Sequence, residues 1–289
     1  MKIPIFTDSP GWHGEQLKHA FYERGVETVF VSLIDCSLHL THGMYIQIPS
    51  LNELPKGVFV RGVSGGTLQQ VITRLNILHM LHDQDVLVYN HSRAIERTVD
   101  KAMTSALLHQ KNVATPHTWV CESRSQAALL RQSIQEDLVL KPLFGSQGLG
   151  VRKLPRDKPL PVPMEQYVDG VYYLQQFIHT SDAPHDYRLF VIGNRVVAAM
   201  KRVGESWVNN VAAGGQCSAI VPDPAMTQLA LNAAAAVNID YCGVDIIQAE
   251  TGEYYVLEVN SIPAWKGLQN VADVNIAQLL VDDFLSKMS

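Results

Sequence analysis

Two apolar segments near the carboxyl end of the chain flank a short turn sequence, and each carries one acidic residue. Residues 241–247 suit a buried strand, and residues 254–260 form a second candidate strand after Thr251-Gly252. We expect the two segments to pair as an antiparallel hairpin closed by a two-residue turn. That register places Asp245 directly opposite Glu258.

Two facing carboxylates imply a bound cation. Like charges on one face of a sheet repel each other and weaken the pairing unless a cation lies between them. Asn260 points the same way as Glu258, because side chains alternate along a strand. Oxygen ligands of this kind favour a hard ion, and Mg²⁺ is usual where phosphates are also bound. Asp245, Glu258 and Asn260 are therefore candidate metal ligands. The alternative is a solvated hairpin face, which the apolar neighbours disfavour.

Composition excludes several classes of protein. The 289 residues are 47% hydrophobic and 18% charged, as in an ordinary globular enzyme of two or three units. A net charge of −5 argues against nucleic acid or an anionic membrane as the main partner. No apolar run has the length of a membrane span. The scattered cysteines form no C-x-x-C pair, which favours reduced thiols and a cytoplasmic location.

The order of predicted elements indicates an α/β unit followed by α+β structure. Strands and helices alternate over the first ninety residues, which predicts a mostly parallel sheet. One helix is expected over residues 92–110. Three longer strands, at 174–178, 187–192 and 195–200, are expected to pair as an antiparallel group. Asp223 and Pro224 begin an Ala-rich helix that runs to Val237. We divide the chain into domains at residues 1–90, 91–176 and 177–289.

A glycine-rich stretch follows the strand that ends at Lys141. Its sequence, K-P-L-F-G-S-Q-G-L-G-V, lets backbone N–H groups approach phosphate oxygens. It lacks G-K-[ST] and no helix follows, so neither a P-loop nor a dinucleotide-binding turn fits. A mobile surface turn is the alternative. Lys141 favours a ligand site, since it would point towards the contents of the loop.

Taken in order, these motifs resemble the ATP-grasp superfamily, and within it the RimK-type ligases, which add glutamate or another amino acid to a carboxylate. The sequence reads K-P-x-x-G-x-x-G-x-G, then Q-Q-F-I, D-Y-R, G-V-D-I and L-E-V-N, over residues 90–289. The resemblance implies an ATP-grasp fold, with an N-terminal α/β domain, a small lid domain and a C-terminal α+β lobe. ATP and one or two Mg²⁺ ions, replaceable by Mn²⁺, are the implied cofactors.

The resemblance also implies roles for individual residues. Asp245, Glu258 and Asn260 match the metal ligands, and Arg202 and Asn210 match catalytic residues beside the phosphates and the acyl intermediate. The residues that match ATP-binding positions are Lys101, Lys141, Gly145, Ser146, Gln147, Gly148, Gln175, Gln176, Phe177, Ile178, Asp186 and Arg188. For Arg188 the alternative is a structural pair with a neighbouring carboxylate. Gln176 replaces the usual glutamate of the hinge, and its carbonyl oxygen can still accept from the adenine amino group.

Two departures from the family pattern bear on the substrate. Val208-Asn209-Asn210 and Ala212-Ala213 replace residues that help to contact the substrate in RimK-type ligases. The sequence of residues 261–268 resembles the corresponding segment of relatives that act on carrier proteins or on pterin and deazaflavin cofactors. The implied partners are a small-molecule carboxylate acceptor and an amino acid, with a pterin of the tetrahydromethanopterin type in methylotrophs as the favoured acceptor. Relatives are often dimers or tetramers, and homo-oligomerisation stays open here.

Four further residues are candidates for substrate contact, each with a structural alternative. Arg61 follows an apolar strand and can bind a carboxylate, or can be a surface arginine. His13 lies after the first strand, where α/β proteins bind ligands, or belongs to a capping turn. Trp265 and Lys266 follow the metal strand and are expected to line the acceptor pocket, with core packing as the alternative for Trp265.

Three other classes of function fit part of the sequence. A kinase, or a ligase that uses an amine other than an amino acid, would keep the fold and change the reaction. A non-catalytic Mg-ATP-binding module would bind without turnover, although the metal ligands and both lysines are present. A dinucleotide oxidoreductase fits the first domain but lacks G-x-G-x-x-G after the first strand.

Overall fold

The computed structural model describes residues 2–145, 148–160, 170–181, 183–204, 207 and 216–288. These residues form three main sheets and a separate two-stranded hairpin. The strands are β1 (Lys2–Phe6), β2 (Glu27–Val31), β3 (Ser37–Leu40), β4 (Met44–Gln47), β5 (Gly57–Val60), β6 (Leu87–Tyr89), β7 (Thr118–Cys121), β8 (Leu138–Lys141), β9 (Arg152–Leu154), β10 (Tyr172–Gln176), β11 (His185–Ile192), β12 (Arg195–Val203), β13 (Gln216–Ala219), β14 (Tyr241–Gln248) and β15 (Tyr254–Asn260). The α-helices are α1 (Gly11–Glu23), α2 (Leu68–Asp83), α3 (Ser92–Val99), α4 (Lys101–Gln110), α5 (Arg124–Ser133), α6 (Pro224–Val237), α7 (Lys266–Gln269) and α8 (Ile276–Lys287). Among the described helices, none has the length and apolarity needed to span a membrane.

The first sheet is parallel, with the strand order β2-β1-β5-β6. This confirms the parallel α/β unit predicted for the first ninety residues. The chain leaves β1 towards β2 on one side and leaves β5 towards β6 on the other. The carboxyl ends of β1 and β5 therefore flank the point where the strand order reverses, which is where open α/β sheets bind ligands.

The single helix predicted over residues 92–110 is wrong, because the helix breaks at Asp100. This residue has an extended backbone (φ −87°, ψ 105°), and its carboxylate accepts from the N–H groups of Ala102 and Met103. Aspartate competes with the helix for backbone donors and so favours a cap over a helix interior. Lys101, a predicted ATP-binding residue, therefore becomes the first residue of α4.

The second sheet is antiparallel, with the order β7-β10-β8-β9. Strand β10 was expected to pair with the two strands that follow it, and that prediction is wrong. It lies instead between β7 and β8, with Gln175 opposite Val139 and Tyr173 opposite Lys141. The second sheet thus brings the end of β8, which precedes the glycine-rich loop, next to the Q-Q-F-I motif.

The third sheet is antiparallel, with the order β13-β12-β11-β14-β15, and it confirms that Asp245 lies opposite Glu258. The predicted two-residue turn is wrong. Gln248 pairs with Tyr254, so a loop of three residues, 250–252, closes the hairpin one residue out of the expected register. A bulge at Leu257 adds one residue to β15 and restores the register before Glu258.

The core joins the first and third sheets. Fully buried aromatic rings from both sheets and from α8 pack together, namely Phe59, Tyr89, Phe190, Tyr241 and Phe284. Helix α6 covers the other face of the third sheet, and its bounds confirm the helix predicted from Pro224 to Val237. Helices α3 and α4 also pack against α6 and β15. The domain boundaries at residues 1–90, 91–176 and 177–289 stay a prediction.

Candidate active site

A cleft of about 580 Å³ lies between the second and third sheets. Strands of both sheets line it. Residues of the segment 262–267 also line it, with the exception of Trp265. The predicted site residues that line it are Lys101, Lys141, Gly145, Gly148, Gln175, Gln176, Phe177, Ile178, Asp186, Arg188, Arg202, Asp245, Glu258, Asn260 and Lys266. The predicted residues Ser146, Gln147 and Asn210 lie outside the described residues. The fold therefore gathers motifs that lie far apart in sequence into one site.

The two predicted lysines face this cleft in different ways. Nζ of Lys141 donates to the side-chain oxygen of Gln175 at 2.5 Å, and burial lowers the pKa of Lys141 to about 8. Nζ of Lys101 donates to the carbonyl oxygen of Gly145 at 2.7 Å and so ties α4 to the glycine-rich loop. Burial also lowers the pKa of Lys101. Both ammonium groups are partly desolvated, so an anion in the cleft would stabilise their charged forms.

Four charged side chains form a buried network on three adjacent strands. Arg188 binds Asp245 through two hydrogen bonds of 2.7 and 2.6 Å, and Arg202 binds Asp186 through two of 2.6 and 2.9 Å. Nη2 of Arg202 also lies 3.1 Å from Oδ2 of Asp245. Strand register sets these pairs, since Arg188 lies opposite Asp245 and Asp186 lies opposite Arg202. Burial alone would raise the pKa of Asp245, but the two arginines hold it at about 2.

The residues at the metal position fit a hard cation. The bulge at Leu257 turns both Leu257 and Glu258 towards the cleft, beside Asp245. The side-chain nitrogen of Asn260 is buried and has no hydrogen-bond partner among the described residues. Since the amide nitrogen and oxygen can exchange places by a flip, this group is available to the contents of the cleft. Carboxylate and amide oxygens together form a donor set suited to Mg²⁺.

Comparison with known proteins identifies the family. The model of the RimK-like ATP-grasp domain matches residues 98–284. The chain belongs to the RimK-like ATP-grasp family.

Related proteins match most or all of the chain in sequence. A tetrahydromethanopterin:alpha-L-glutamate ligase of Methanococcus maripaludis is 30% identical, and the match covers 99% of this chain and 98% of that protein. The ligase of the same name from Methanocaldococcus jannaschii is 37% identical over 73% of this chain and 74% of that protein. The solved structure of the ATP-grasp ligase PsnB with a precursor variant, Mg and ADP superposes with a TM-score of 0.76 at 19% identity, covering 99% of this chain and 98% of that one.

Family membership fixes the general chemistry. The fold is the ATP-grasp fold, as expected from the sequence, and the protein is an ADP-forming acid–amino-acid ligase. The roles of individual site residues stay predictions, although the cleft gathers most of these residues.

One end of this ATP-grasp cleft is aromatic, and sequence reasoning missed part of it. The ammonium of Lys153 lies 3.7 Å from the ring centroid of Phe177, and the ring of Trp207 meets the same ring edge-on at 5.8 Å. Trp207 lines the cleft together with Phe177 and Gln176. Neither Lys153 nor Trp207 belongs to a spaced motif, so no signal in a single sequence marked them.

Three predicted substrate residues lie outside the ATP-grasp cleft. Nε2 of His13 accepts from the backbone N–H groups of Trp265 and Lys266. The side chain of Trp265 is fully buried, in agreement with the core-packing alternative. The guanidinium of Arg61 lies 5.1 Å from the Trp265 ring centroid. Lys266 does line the cleft.

Proposed function

We propose that this ligase joins glutamate to a carboxylate of a pterin-type small molecule. The observation that carries the proposal is the cleft, where two lysines and the carboxylate pair Asp245 and Glu258 lie beside the segment 262–267. The choice of glutamate and a pterin is supported by the full-length relative from Methanococcus maripaludis, which is named for these substrates.

The first step is phosphoryl transfer to the acceptor. A carboxylate oxygen attacks the γ-phosphorus of ATP, the new O–P bond forms, and the bond to the bridging oxygen of ADP breaks. Such transfer depends mainly on alignment and on neutralisation of charge. Lys101 and Lys141 are placed to offset phosphate charge, and Lys101 also orients the glycine-rich loop through Gly145. Asp245, Glu258 and Asn260 would hold Mg²⁺, or Mn²⁺ in its place, which when bound neutralises and orients phosphate oxygens.

The second step forms the amide. The amino nitrogen attacks the acyl carbon, phosphate leaves with the acyl oxygen, and the nitrogen loses a proton. Burial would lower the pKa of Arg202, but Asp245 and Asp186 outweigh it and raise that pKa above its usual range. Arg202 therefore stays cationic and can stabilise the negative charge of the tetrahedral intermediate. We assign Asn210 to the same step, on the resemblance to RimK-type ligases alone.

We also infer a cytoplasmic location and small-molecule partners rather than nucleic acid. The four cysteines are free thiols, which suits a reducing compartment. The net charge of −5 is unfavourable for binding a polyanion.

The test is Mg²⁺-dependent ADP release with a panel of amino acids, each offered with and without a tetrahydromethanopterin-type acceptor. Hydroxylamine in parallel reactions traps an acyl phosphate as a hydroxamate. We expect release that needs both the pterin carboxylate and glutamate, and a hydroxamate when glutamate is replaced by hydroxylamine. ADP release that needs no amine and yields a stable phosphorylated product would identify a kinase instead. Binding of Mg-ATP with no release for any pair would favour a non-catalytic module.

A further inference from the structure

A half-buried arginine, Arg61, lies at the edge of the first sheet where α/β sheets bind ligands. Arg61 directly follows β5, and its backbone N–H and that of Gly62 donate to the carbonyl oxygen of Phe6, at 2.8 and 2.9 Å. Phe6 is the last residue of β1. Arg61 is thereby fixed between the carboxyl ends of β1 and β5, where the strand order reverses and α/β sheets bind ligands.

The guanidinium of Arg61 lacks a counter-ion among the described residues. Its Nη1 donates to the carbonyl oxygen of Ile262 at 3.3 Å, and its Nε is buried without a hydrogen-bond partner. The nearby Asp8 accepts from the hydroxyls of Ser32 and Ser64 instead. Burial lowers the pKa of Arg61, since no carboxylate compensates for the lost hydration.

The buried arginines in the described parts of the chain each bind two or more acceptors of the protein. Arg202 binds two carboxylates, as described above. Arg74 donates to the carbonyl oxygens of Ser64 and Gly65, and Arg131 donates to four backbone carbonyl oxygens. Arg61 makes one carbonyl bond only. An unpaired buried donor destabilises the fold, and more so when it is charged, so this arrangement needs an explanation outside the fold.

The site of Arg61 adjoins the reaction cleft. Its carbonyl partner Ile262 lines the cleft, as do Pro263 and Ala264. The indole of Trp265, beneath the guanidinium, also has a buried Nε1 with no partner among the described residues. The predicted metal ligand Asn260 lies two residues before Ile262. Arg61 is therefore in direct contact with the segment that forms this wall of the cleft.

We propose that Arg61 binds a second anionic group of the acceptor, a carboxylate or phosphate other than the carboxylate that is activated. The acceptor is then at least a dianion that bridges the first-sheet crevice and the ATP cleft. This inference rests on the proposed function and adds a substrate class to it. The planar guanidinium suits either oxyanion, because both present paired oxygens to its N–H donors.

The test compares matched acceptors with matched variants. The acceptors are a pterin-linked dicarboxylate, the same molecule with its second carboxyl group as a primary amide, and the analogue with a phosphate at that position. Equilibrium binding of each is measured by calorimetry in the presence of Mg-ADP, and kcat/KM for ADP release is measured with glutamate. The variants are Arg61→Gln, Arg61→Lys and the control Arg93→Gln, whose side chain is exposed on α3.

We expect the wild-type enzyme to bind a dianion at least 10-fold more tightly than the amide, and Arg61→Gln to reduce that preference to less than 3-fold. Arg61→Lys should keep part of the preference, and Arg93→Gln all of it, with the affinity for ATP unchanged throughout. The acceptor that binds more tightly, the dicarboxylate or the phosphate analogue, identifies the anionic group that Arg61 binds. A full preference in Arg61→Gln, or none in the wild type, overturns the inference. Binding is read without turnover, so a failure of ligation alone would count against the proposed reaction and not against the anion site.

Discussion

Nε2 of His13 accepts hydrogen bonds from the backbone N–H of Trp265 at 3.0 Å and from that of Lys266 at 3.3 Å. His13 lies in α1, whereas Trp265 and Lys266 form the start of α7, more than 250 residues later in the chain. Only an unprotonated ring nitrogen can accept, so His13 is neutral with its proton on Nδ1. The first domain thus holds the cleft wall that follows the metal strand.

Replacing His13 by alanine should weaken acceptor binding. Loss of a bond worth about 1 kcal/mol, with two N–H groups left unpaired, predicts a decrease of roughly 5–30-fold in kcat/KM for the acceptor. KM for ATP should stay near the wild-type value, because the nucleotide contacts lie on other strands. His13→Gln should retain most activity through its amide oxygen, and His19→Ala, exposed on the same helix, is the control. Equal losses for the alanine and glutamine variants would contradict this role.

The same contact predicts a pH dependence of stability. Burial, and then the charges of Arg61 and Lys266, lower the pKa of His13 from 6.5 to about 4. Between these values the unfolded chain binds more protons than the native protein, so the free energy of unfolding rises with pH and falls on acidification. After discounting for solvent screening we expect on the order of 1 kcal/mol. Urea unfolding of wild type and His13→Gln at pH 7 and pH 5 measures this change in the free energy of unfolding. An equal decrease on acidification in the two proteins would rule His13 out as the cause.

Replacement of Glu258 by glutamine should abolish turnover and leave the fold intact. The change removes a metal-binding charge at the cleft, and a decrease of at least about 10³-fold in kcat is expected from lost charge stabilisation. Circular dichroism and the midpoint of thermal unfolding should stay near the wild-type values. Glu250→Gln, in the exposed loop of the same hairpin, serves as the control. Normal turnover by Glu258→Gln would contradict the assignment of Glu258 as a metal ligand.

Arg202→Gln should destabilise the protein strongly. The substitution leaves Asp186 and Asp245 buried with one cation fewer, and breaking a buried pair in this way costs about 3–5 kcal/mol. Removing the exposed pair of Arg24 with Asp282 by Arg24→Gln should cost less than about 1 kcal/mol. Chemical unfolding of the two variants gives the comparison. Similar losses would mean that the buried network contributes no more than a surface ion pair.

Asn90 provides a test of how the first domain is joined to the metal strand. Its fully buried side-chain nitrogen donates to the carbonyl oxygens of Tyr241 and Ser261, and its oxygen accepts from the N–H groups of Asp240 and Tyr241. Asn90→Asp would set a carboxylate oxygen against two carbonyls. We expect a loss of about 2–4 kcal/mol in unfolding free energy, measured in urea. A loss below 1 kcal/mol would show that the site relaxes.

Local patterns predicted what depends on neighbours in sequence. The helix after Asp223 follows from capping and is confirmed. The Asp245–Glu258 pairing is also confirmed, but the turn from which it was predicted is wrong, and the bulge at Leu257 compensates for that error. The break at Asp100 was missed because apolar periodicity continues through it, although aspartate was itself a signal. The sheet that takes up β10 is decided by long-range pairing, which periodicity does not report.

The electrostatic partners in the site were beyond a single sequence for the same reason. Arg188 was expected to bind the nucleotide or a neighbouring carboxylate, and that the carboxylate is Asp245 depends on the register between β11 and β14. The contact between His13 and Trp265 joins opposite ends of the chain. Motif spacing can identify such residues as candidates, whereas their contacts require the assembled fold.

The bulge at Leu257 separates two parts of one hairpin. On the tip side the strands pair in one register, set by the loop at residues 250–252, and on the other side they pair in the register that aligns Asp245 with Glu258. An insertion in that loop can be absorbed at the tip without moving the carboxylates. Deletion of Leu257 would leave the pairing near the loop intact, but it would shift Glu258 by one position relative to Asp245. The hairpin should therefore tolerate changes in length in the loop at residues 250–252 but not at the bulge.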